Sequence, residues 1–257
     1  MESGLGVSCA DGVFLQYERS KLIMERVYIN GKSVFPFKSK EELLKFISKE
    51  KKILIAMNTE KILSSNNKLQ SIINDNIAYP DGIGAVMALR RKSIKAAKIP
   101  GAYLWQDIIK QFCHDKSFYL IGSTDEVVNA TVKKLKSEYP KIRIAGFRNG
   151  YFDNHELAAI LEDIKIKKPD IIFIAMGSPK QEYVMADLIS QYPALYMGLG
   201  GSFDLYSGIT KPVPEWWNKI FKWEGLYRCF SDFRNIQRWK RQFPALKIIP
   251  KIIFNKL

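Results

Sequence analysis

The chain has little of the chemistry that disulfides and metal sites need. Its three cysteines, Cys9, Cys113 and Cys229, each lie more than 100 residues from the next, which favours neither a disulfide framework nor a metal site. The two histidines, His114 and His155, have no ligand-type residues beside them. We therefore expect a reducing, cytoplasmic setting and assign no metal-binding residue.

Long apolar runs are also missing. The longest covers residues 171–176, the size of a strand, whereas a membrane-spanning helix needs about 20 apolar residues. Residues 1–23 contain acidic residues and glycines where a signal peptide has a basic start and an apolar stretch. We interpret residues 1–23 as an N-terminal extension, either a disordered segment or the product of an upstream translation start.

Acidic residues are the third shortage. The 257 residues carry 40 Lys and Arg against 26 Asp and Glu, a formal charge of +14. Residues 211–257 alone hold eleven basic and three acidic residues. This surplus favours an anionic partner such as a nucleotide sugar, an acidic lipid surface or nucleic acid. Because 47% of the residues are hydrophobic, the chain can still bury a proper core.

The middle of the chain alternates short β-rich runs with helical patterns, which is typical of βα units. The predicted strands are Ile53–Met57, Phe118–Ile121, Ile142–Gly146, Asp170–Met176 and Ala194–Gly198. Helical periodicity predicts helices over residues 83–89, 104–112, 125–138 and 157–164. The fold class predicted for residues 24–210 is therefore α/β, with a Rossmann-like parallel sheet flanked by helices.

Residues 211–257 have a different texture, and we predict a C-terminal helical appendage there. In a helix from about residue 224 to Pro244, Arg234, Arg238 and Arg241 share one face, and aromatic residues occupy the other. That composition is typical of a helix lying on an anionic membrane. The alternative is that the aromatic side chains pack on the sheet while the arginines face water.

Asp81 stands in a tight turn, Tyr-Pro-Asp-Gly, directly before a predicted helix. One interpretation is a turn residue that caps this helix. The other is a general base that a rigid turn presents at the edge of a cleft. The neighbouring Gly82 and Gly84 do not complete a dinucleotide fingerprint because Met87 occupies the third glycine position.

A second polar run, Gly177 to Glu182, follows the most apolar predicted strand and opens a helix with an early proline. Backbone N–H groups, the cation of Lys180 and the amide of Gln181 would then converge on one loop that suits an anion. The alternative is an ordinary polar helix start. The chain has neither a P-loop nor an Asp-x-Asp pair, so we expect helix ends and basic side chains to neutralise a bound diphosphate without metal.

Eight ordered blocks of the sequence are similar to one known family. The chain resembles the WecG/TagA/CpsF glycosyltransferases, glycosyltransferase family 26, over roughly residues 26–245. The matching blocks are AMNTEK at 56–61, YPDGI at 79–83, PGAYLW at 100–105, NGYF at 149–152, AMGSPKQE at 175–182, ALYMG at 194–198, GGSFD at 200–204 and EGLYR at 224–228. It departs from the family pattern at Ala56, Tyr103, Lys211 and Gly225, which bears on donor choice.

The resemblance implies a hexosyltransferase that works with inversion in cell-surface polysaccharide synthesis. The donor would be a UDP-sugar carrying N-acetylmannosaminuronic acid, N-acetylmannosamine or a related hexose, and the acceptor a sugar on polyprenyl diphosphate. The enzyme would be cytoplasmic and peripheral on the inner face of the bacterial plasma membrane. The expected partners are these two substrates and the anionic membrane surface, with a homo-oligomer left open and no cofactor or metal.

The resemblance also suggests roles for individual residues, with Asp81 as the catalytic base. The donor-binding residues it implies are Asn58, Gly177, Lys180, Gln181, Glu182, Gly201 and Asp204. Those implied for the acceptor or its diphosphate are Tyr151, Arg228, Arg234 and Arg238. The alternative function is a non-enzymatic nucleic-acid-binding protein that uses the basic aromatic C-terminus, but it leaves the turn at Asp81 and the run from Gly177 unexplained.

Overall fold

A computed structural model describes residues 25–209 of the chain. Its main sheet has six parallel strands: β3 (Ile53–Met57), β4 (Ile77–Pro80), β5 (Ser117–Gly122), β6 (Arg143–Arg148), β7 (Ile171–Ala175) and β8 (Leu195–Gly198). A two-stranded antiparallel hairpin, β1 (Val27–Ile29) and β2 (Lys32–Val34), precedes it. The expectations for residues 1–23 and 211–257 lie outside the described residues.

Nine helices connect and cover these strands within residues 25–209. They are α1 (Lys40–Ile47), α2 (Thr59–Leu63), α3 (Asn67–Asp75), α4 (Ile83–Arg91), α5 (Gly101–Phe112), α6 (Asp125–Glu138), α7 (Asn154–Lys167), α8 (Lys180–Ile189) and α9 (Ser202–Tyr206). The predicted α/β class with a parallel sheet is confirmed.

Both faces of the sheet are buried, as a parallel sheet requires. One core joins the strands to apolar residues of α1, α5, α6 and α9, and the other joins them to α2, α3, α4, α7, α8 and the hairpin. The side chains of β5 alternate between these cores, with Phe118 and Leu120 on the first and Tyr119 and Ile121 on the second. This double burial explains why β5 and β7 read as continuous apolar runs.

All five predicted strands and the four predicted helices are present, with bounds shifted by a few residues. Strand β4 was not predicted, because its four residues end in a proline and merge with the turn at Asp81. The hairpin, whose strands have three residues each, and helices α1, α2, α3 and α9 were not predicted either. Short elements carry too few periods for a pattern to stand out.

The strand order β4-β3-β8-β7-β5-β6 creates a switch point between β3 and β8. After β3 the chain enters α2 on one face of the sheet, whereas after β8 it enters α9 on the other. The two connections therefore diverge at the carboxyl ends of these central strands. In open α/β sheets such a divergence forms the crevice in which ligands bind.

Candidate active site

The functional residues predicted within the described chain follow the carboxyl ends of the strands. Because all six strands are parallel, these ends share one edge of the sheet. In spatial order the edge carries Asp81 after β4, Asn58 after β3, Gly201 after β8, Gly177 after β7, Ser123 after β5 and Tyr151 after β6. The fold thus brings together segments that are far apart in sequence.

Asp81 is held at this edge by two neighbouring chain segments. Its backbone N–H donates to the carbonyl of Met57 at 3.1 Å, and its Oδ1 accepts the N–H of Gly101 at 2.6 Å. Helix α4 begins at Ile83 after Gly82 and has no side-chain cap. The capping interpretation of Asp81 is therefore wrong: this half-buried carboxylate is fixed by the start of α5 and not by α4.

Tyr79 places a buried hydroxyl beside this carboxylate. A Cβ added to Gly101 would lie 2.7 Å from the Tyr79 hydroxyl, 3.3 Å from Asp81 Oδ1 and 3.4 Å from the Cβ of Ala56, so all three surround one point. The hydroxyl has no hydrogen-bond partner among residues 25–209. Burial, and then the negative charge of Asp81, raise the pKa of Tyr79 well above its ordinary value. The phenol therefore stays protonated.

Asn58 follows β3 and is the N-cap residue of α2, a helix of five residues that is fixed at both ends. The Asn58 Oδ1 accepts the N–H of Lys61 at 2.9 Å. At the far end, the buried ammonium of Lys32 donates to the carbonyl of Ser64 at 2.8 Å, and Asn30 donates to that of Ile62 at 2.7 Å. Burial lowers the pKa of Lys32. Asn58 therefore sits on a rigid short helix.

A buried ion pair ties α2 to α8. Lys61 Nζ lies 3.2 Å from Glu182 Oε1, and their side chains are only 6% and 2% exposed. The other oxygen of Glu182, Oε2, has no hydrogen-bond partner in the described part of the chain. Two charges removed from water in this way are stable only together, since either one alone would be a buried uncompensated charge.

Gln181 extends this pair to the loop after β8. Its Nε2 donates to Glu182 Oε1 at 3.2 Å, and its Oε1 accepts the N–H of Gly200 at 2.9 Å. A Cβ on Gly198 would collide with the Gln181 amide, so only glycine allows this approach. Both side chains expected to bind the donor, Gln181 and Glu182, are thus buried in a network that fixes the Gly198–Gly201 loop.

The loops after β7 and β8 each contain a glycine with open space beside it. Gly177 has a φ of +77° and Gly200 has one of +58°, and no atom lies within 4 Å of a Cβ built on either. Helix α8 starts at Lys180 without a side-chain cap. Two glycine backbones and the positive end of a ten-residue helix therefore line the crevice beside the exposed Lys180.

Asp204, in α9, joins the loop after β8 to the loop after β5. Ser123 Oγ donates to Asp204 Oδ1 at 3.0 Å, and a Cβ on Gly201 would lie 3.8 Å from Asp204 Oδ2. Ser123 adopts a positive φ of 54°, and its carbonyl accepts the N–H of Gly150 at 2.9 Å. Asp204 thus sits where the loops after β8, β5 and β6 meet.

One comparison with known proteins bears on this arrangement. The model of the WecG/TagA/CpsF glycosyl transferase family matches residues 33–257 of the chain. The chain belongs to the WecG/TagA/CpsF family. It is therefore a glycosyltransferase, and the family places it in cell-surface polysaccharide synthesis. The family predicted from the sequence blocks is confirmed.

In this WecG/TagA/CpsF chain Tyr151 lies far along the edge from Asp81. It is 73% exposed, and its N–H donates to Asn149 Oδ1 at 2.9 Å. Its neighbour Phe152 lies between two cations: Lys180 Nζ is 5.6 Å, and the Arg148 guanidinium 5.0 Å, from the centre of its ring. The loop of Tyr151 is therefore attached to the Gly177 side of the crevice.

The remaining expectations concern other residues and ligands. Arg228, Arg234 and Arg238 lie outside residues 25–209. Within that range no three His, Cys, Asp or Glu side chains cluster as metal ligands would. No helix in the same range is long and apolar enough to cross a membrane.

Sequence reasoning missed several residues of the WecG/TagA/CpsF site. Lys61, Tyr79 and Gly101 belong to matching blocks but were given no role, and Ser123 lies outside every matching block. A lysine in the first turns of a short helix gives no signal of burial, because its partner Glu182 comes from a distant part of the sequence. The burial of Tyr79 follows only once β4 is recognised as a strand, because all four residues of that strand are buried.

Proposed function

We propose that this chain transfers a sugar from a UDP donor to a sugar carried on polyprenyl diphosphate, with inversion at the anomeric carbon. The donor sugar would be N-acetylmannosaminuronic acid, N-acetylmannosamine or a related hexose, and the enzyme would act at the inner face of the bacterial plasma membrane. The observation that supports it is the half-buried Asp81, oriented by the Gly101 N–H at 2.6 Å on the edge that also carries the open glycine loops.

Asp81 would act as general base in a single displacement. The acceptor hydroxyl oxygen attacks the anomeric carbon and its proton passes to the Asp81 carboxylate. The bond from that carbon to the diphosphate oxygen breaks, and UDP leaves with the electron pair from the opposite face. One base and a good leaving group suffice, because the configuration inverts once.

The donor diphosphate would lie across the crevice at the β8 and β7 loops. Supporting this are the open space beside Gly177 and Gly200 and, for donors and positive charge, the uncapped start of α8 and the exposed Lys180. Asn58 and Gly201 border the same space. Gln181 and Glu182 would act as positioning residues, since their polar atoms hold the loop that carries Gly200.

The far end of the crevice would take the nucleotide. The loops after β5 and β6 lie beyond the β8 and β7 loops as counted from Asp81, so a donor whose sugar lies at Asp81 would extend its nucleotide toward them. The resemblance implied that Tyr151 binds the acceptor. We instead assign Tyr151 and Asp204 to the nucleotide end, because their loops attach on the side of the crevice away from Asp81. Arg228, Arg234 and Arg238 stay proposed contacts of the acceptor diphosphate.

A donor panel tests this function. Purified chain is incubated with several UDP-sugars and a short-chain lipid diphosphate acceptor, and products are identified by mass spectrometry and their anomeric configuration by NMR. We expect transfer from one UDP-sugar with inversion and release of UDP. Transfer with retention would contradict the single displacement, and failure of every UDP-sugar beside success of another nucleotide sugar would contradict the donor assignment.

A further inference from the structure

Helix α4 presents an exposed stripe that starts two residues after Asp81. Positions 83, 87, 90 and 91 are exposed, whereas 84–86 and 88–89 are buried, so the solvent side is one helical face. Its first two members are large and apolar: Ile83 is 60% exposed and Met87 39%. An apolar pair on the rim of the site points to a surface that meets something other than water.

The same stripe continues into a basic segment that contains no acidic residue of its own. Residues 82–106 contain no Asp or Glu, and their five basic residues, all exposed, are Arg90, Arg91, Lys92, Lys95 and Lys98. Two of them lie in the last turn of α4, where positive charge also matches the helix dipole. Lys92 is the C-cap residue, whereas Lys95 and Lys98 lie beyond the helix, so the dipole gives no reason for the charge of those two. The face is thus apolar next to Asp81 and basic beyond it.

Charge decides which occupant this face fits. A second copy docking symmetrically would lay the same basic segment against itself, because a two-fold interface pairs each patch with its own equivalent. The chain's own residues 211–257 hold eleven basic and three acidic residues, so they would also add like charge. An anionic bilayer accepts both parts of the face, since its headgroups attract lysine and arginine while its upper acyl region takes Ile83 and Met87.

We propose that the exposed face of α4, Ile83 and Met87 with Arg90, Lys92, Lys95 and Lys98, docks the catalytic domain on an anionic lipid bilayer. This contact belongs to residues 25–209 and adds to any made by the C-terminal segment. It places the Asp81 end of the crevice at the membrane surface. This contact rests on the proposed function only in that the acceptor is lipid-linked. The chain should bind vesicles through it without donor or acceptor.

A fluorescent label at position 87 tests the contact directly. Met87→Cys is introduced in a full-length chain with Cys9→Ser and Cys229→Ser, while the buried Cys113 remains, and is labelled with an environment-sensitive nitrobenzoxadiazole dye. The matched control is Ile166→Cys on α7, where the native side chain is also apolar and 78% exposed. Vesicles of phosphatidylcholine with and without phosphatidylglycerol are the probes.

We expect the label at position 87 to shift to shorter wavelength with the anionic vesicles, and the label at position 166 to stay unchanged. No shift at position 87 while the chain sediments with the vesicles would overturn the proposal, because attachment would then use another surface. A shift at position 87 that depends on protein concentration without lipid would also overturn it, in favour of self-association.

Charge reversal provides the second test. The variant Arg90→Glu/Lys92→Glu/Lys95→Glu is compared with Lys133→Glu/Lys136→Glu/Lys141→Glu, which reverses three exposed lysines on and after α6. Each basic residue at an anionic surface contributes about fivefold to partitioning, so we expect the first variant to bind vesicles at least ~10-fold more weakly than the second. Equal loss in both variants would mean that only net charge matters, and would overturn the proposal.

Turnover separates this proposal from the proposed function. The α4 variant should keep its rate with a short-chain soluble acceptor and lose rate with a long-chain acceptor embedded in anionic vesicles. If the chain proves inactive with every donor, the fluorescence and sedimentation results still decide whether α4 contacts lipid. If the α4 variant transfers to the embedded acceptor as fast as the α6 control, the docking role of α4 is wrong.

Discussion

Two carboxylates near the same edge of the sheet have opposite surroundings. Asp81 follows β4, is half-buried and accepts a backbone N–H from Gly101. Glu182 lies in the first turn of α8 after β7, is 1% exposed and is paired with Lys61. Both belong to sequence blocks that resemble the family, and the sequence alone suggested that both meet substrate.

The difference distinguishes a carboxylate that could accept a proton from substrate from one that stabilises the surrounding structure. A carboxylate that takes a proton from substrate needs access to it and a neighbourhood that tolerates both protonation states. Glu182 fails the second condition, because neutralising it would leave the buried ammonium of Lys61 without its counter-charge. Asp81 borders the crevice, is only half-buried and accepts the Gly101 N–H, so it has the access that the first condition requires. Under the proposed function, the edge would combine a reactive carboxylate, Asp81, with Glu182, which fixes the loops around it.

The largest expected effect is that of Asp81→Asn. The amide keeps the size of the side chain but cannot take the acceptor proton, so we expect the rate to fall by a factor of about 100 to 10,000. The Kd for UDP, measured by calorimetry, should stay nearly unchanged because the base acts only in the transition state. Asp107→Asn, which alters a half-buried carboxylate on α5 paired with Lys40, is the control and should keep its rate.

If Asp81→Asn retains more than about a third of the wild-type rate, Asp81 is a structural turn residue. The contrast between the two carboxylates would then disappear. A large loss of UDP affinity would instead mean that Asp81 shapes the donor site.

The two carboxylates also differ in how much of their surroundings could be predicted from the sequence. The apolar runs of β3, β5, β7 and β8 and the turn at Asp81 are local signals, so the sheet could be predicted from them and Asp81 could be proposed as the base. The strand order and the Lys61–Glu182 pair depend on contacts between distant segments, which one sequence does not reveal. Gln181 was expected to bind the donor, whereas its use of both polar atoms inside the protein depends on the packing around Gly198 and Gly200, which the sequence does not reveal.

The second largest effect should come from breaking the ion pair. Lys61→Met or Glu182→Gln leaves one buried charged partner alone, so each should lower the free energy of unfolding by about 3–5 kcal/mol. The double variant Lys61→Met/Glu182→Leu removes both charges and should recover most of that loss. Urea unfolding followed by circular dichroism measures all three.

The exposed pair Lys165–Glu162 on α7 supplies the control. Lys165→Met should cost less than about 1 kcal/mol, since a solvated pair contributes little. If Lys61→Met costs no more than Lys165→Met, the buried pair does not stabilise the site as its geometry indicates.

Gln181→Met should have a smaller effect that appears in donor binding. It removes the acceptor for the Gly200 N–H, which costs about 1–3 kcal/mol when the donor is left unsatisfied, and it frees the loop after β8. We expect the KM for the UDP-sugar to rise while kcat changes little, because Asp81 is untouched. Gln191→Met, just past the end of α8 and exposed, is the control. A fall in kcat with unchanged KM would assign Gln181 to the chemical step.

Tyr79→Phe should stabilise the protein slightly. The Tyr79 hydroxyl is buried without a partner in the described residues, so removing it should raise the free energy of unfolding by about 1 kcal/mol. Tyr119→Phe is the matched control and should destabilise, because that hydroxyl donates to Asp163 at 2.6 Å. If Tyr79→Phe lowers stability or activity as strongly as Asp81→Asn, the hydroxyl has a partner in the working enzyme and Asp81 does not act alone.

The smallest expected effect is that of chelation, which we predict leaves activity unchanged. A divalent ion that holds a diphosphate takes ligands from one or two carboxylates as well as from the phosphates. Asp81 accepts the Gly101 N–H, and Glu182 Oε1 lies beside both Lys61 and Gln181, so neither is arranged as one of a pair of ligands. Helix α8, Lys180 and the glycine loops would carry the leaving charge without a metal. Assays with EDTA, with and without added magnesium or manganese, measure this. Full inhibition by EDTA that added magnesium or manganese reverses would mean that a carboxylate at this edge holds an ion. The proposed distinction between a reactive Asp81 and a supporting Glu182 would then be wrong.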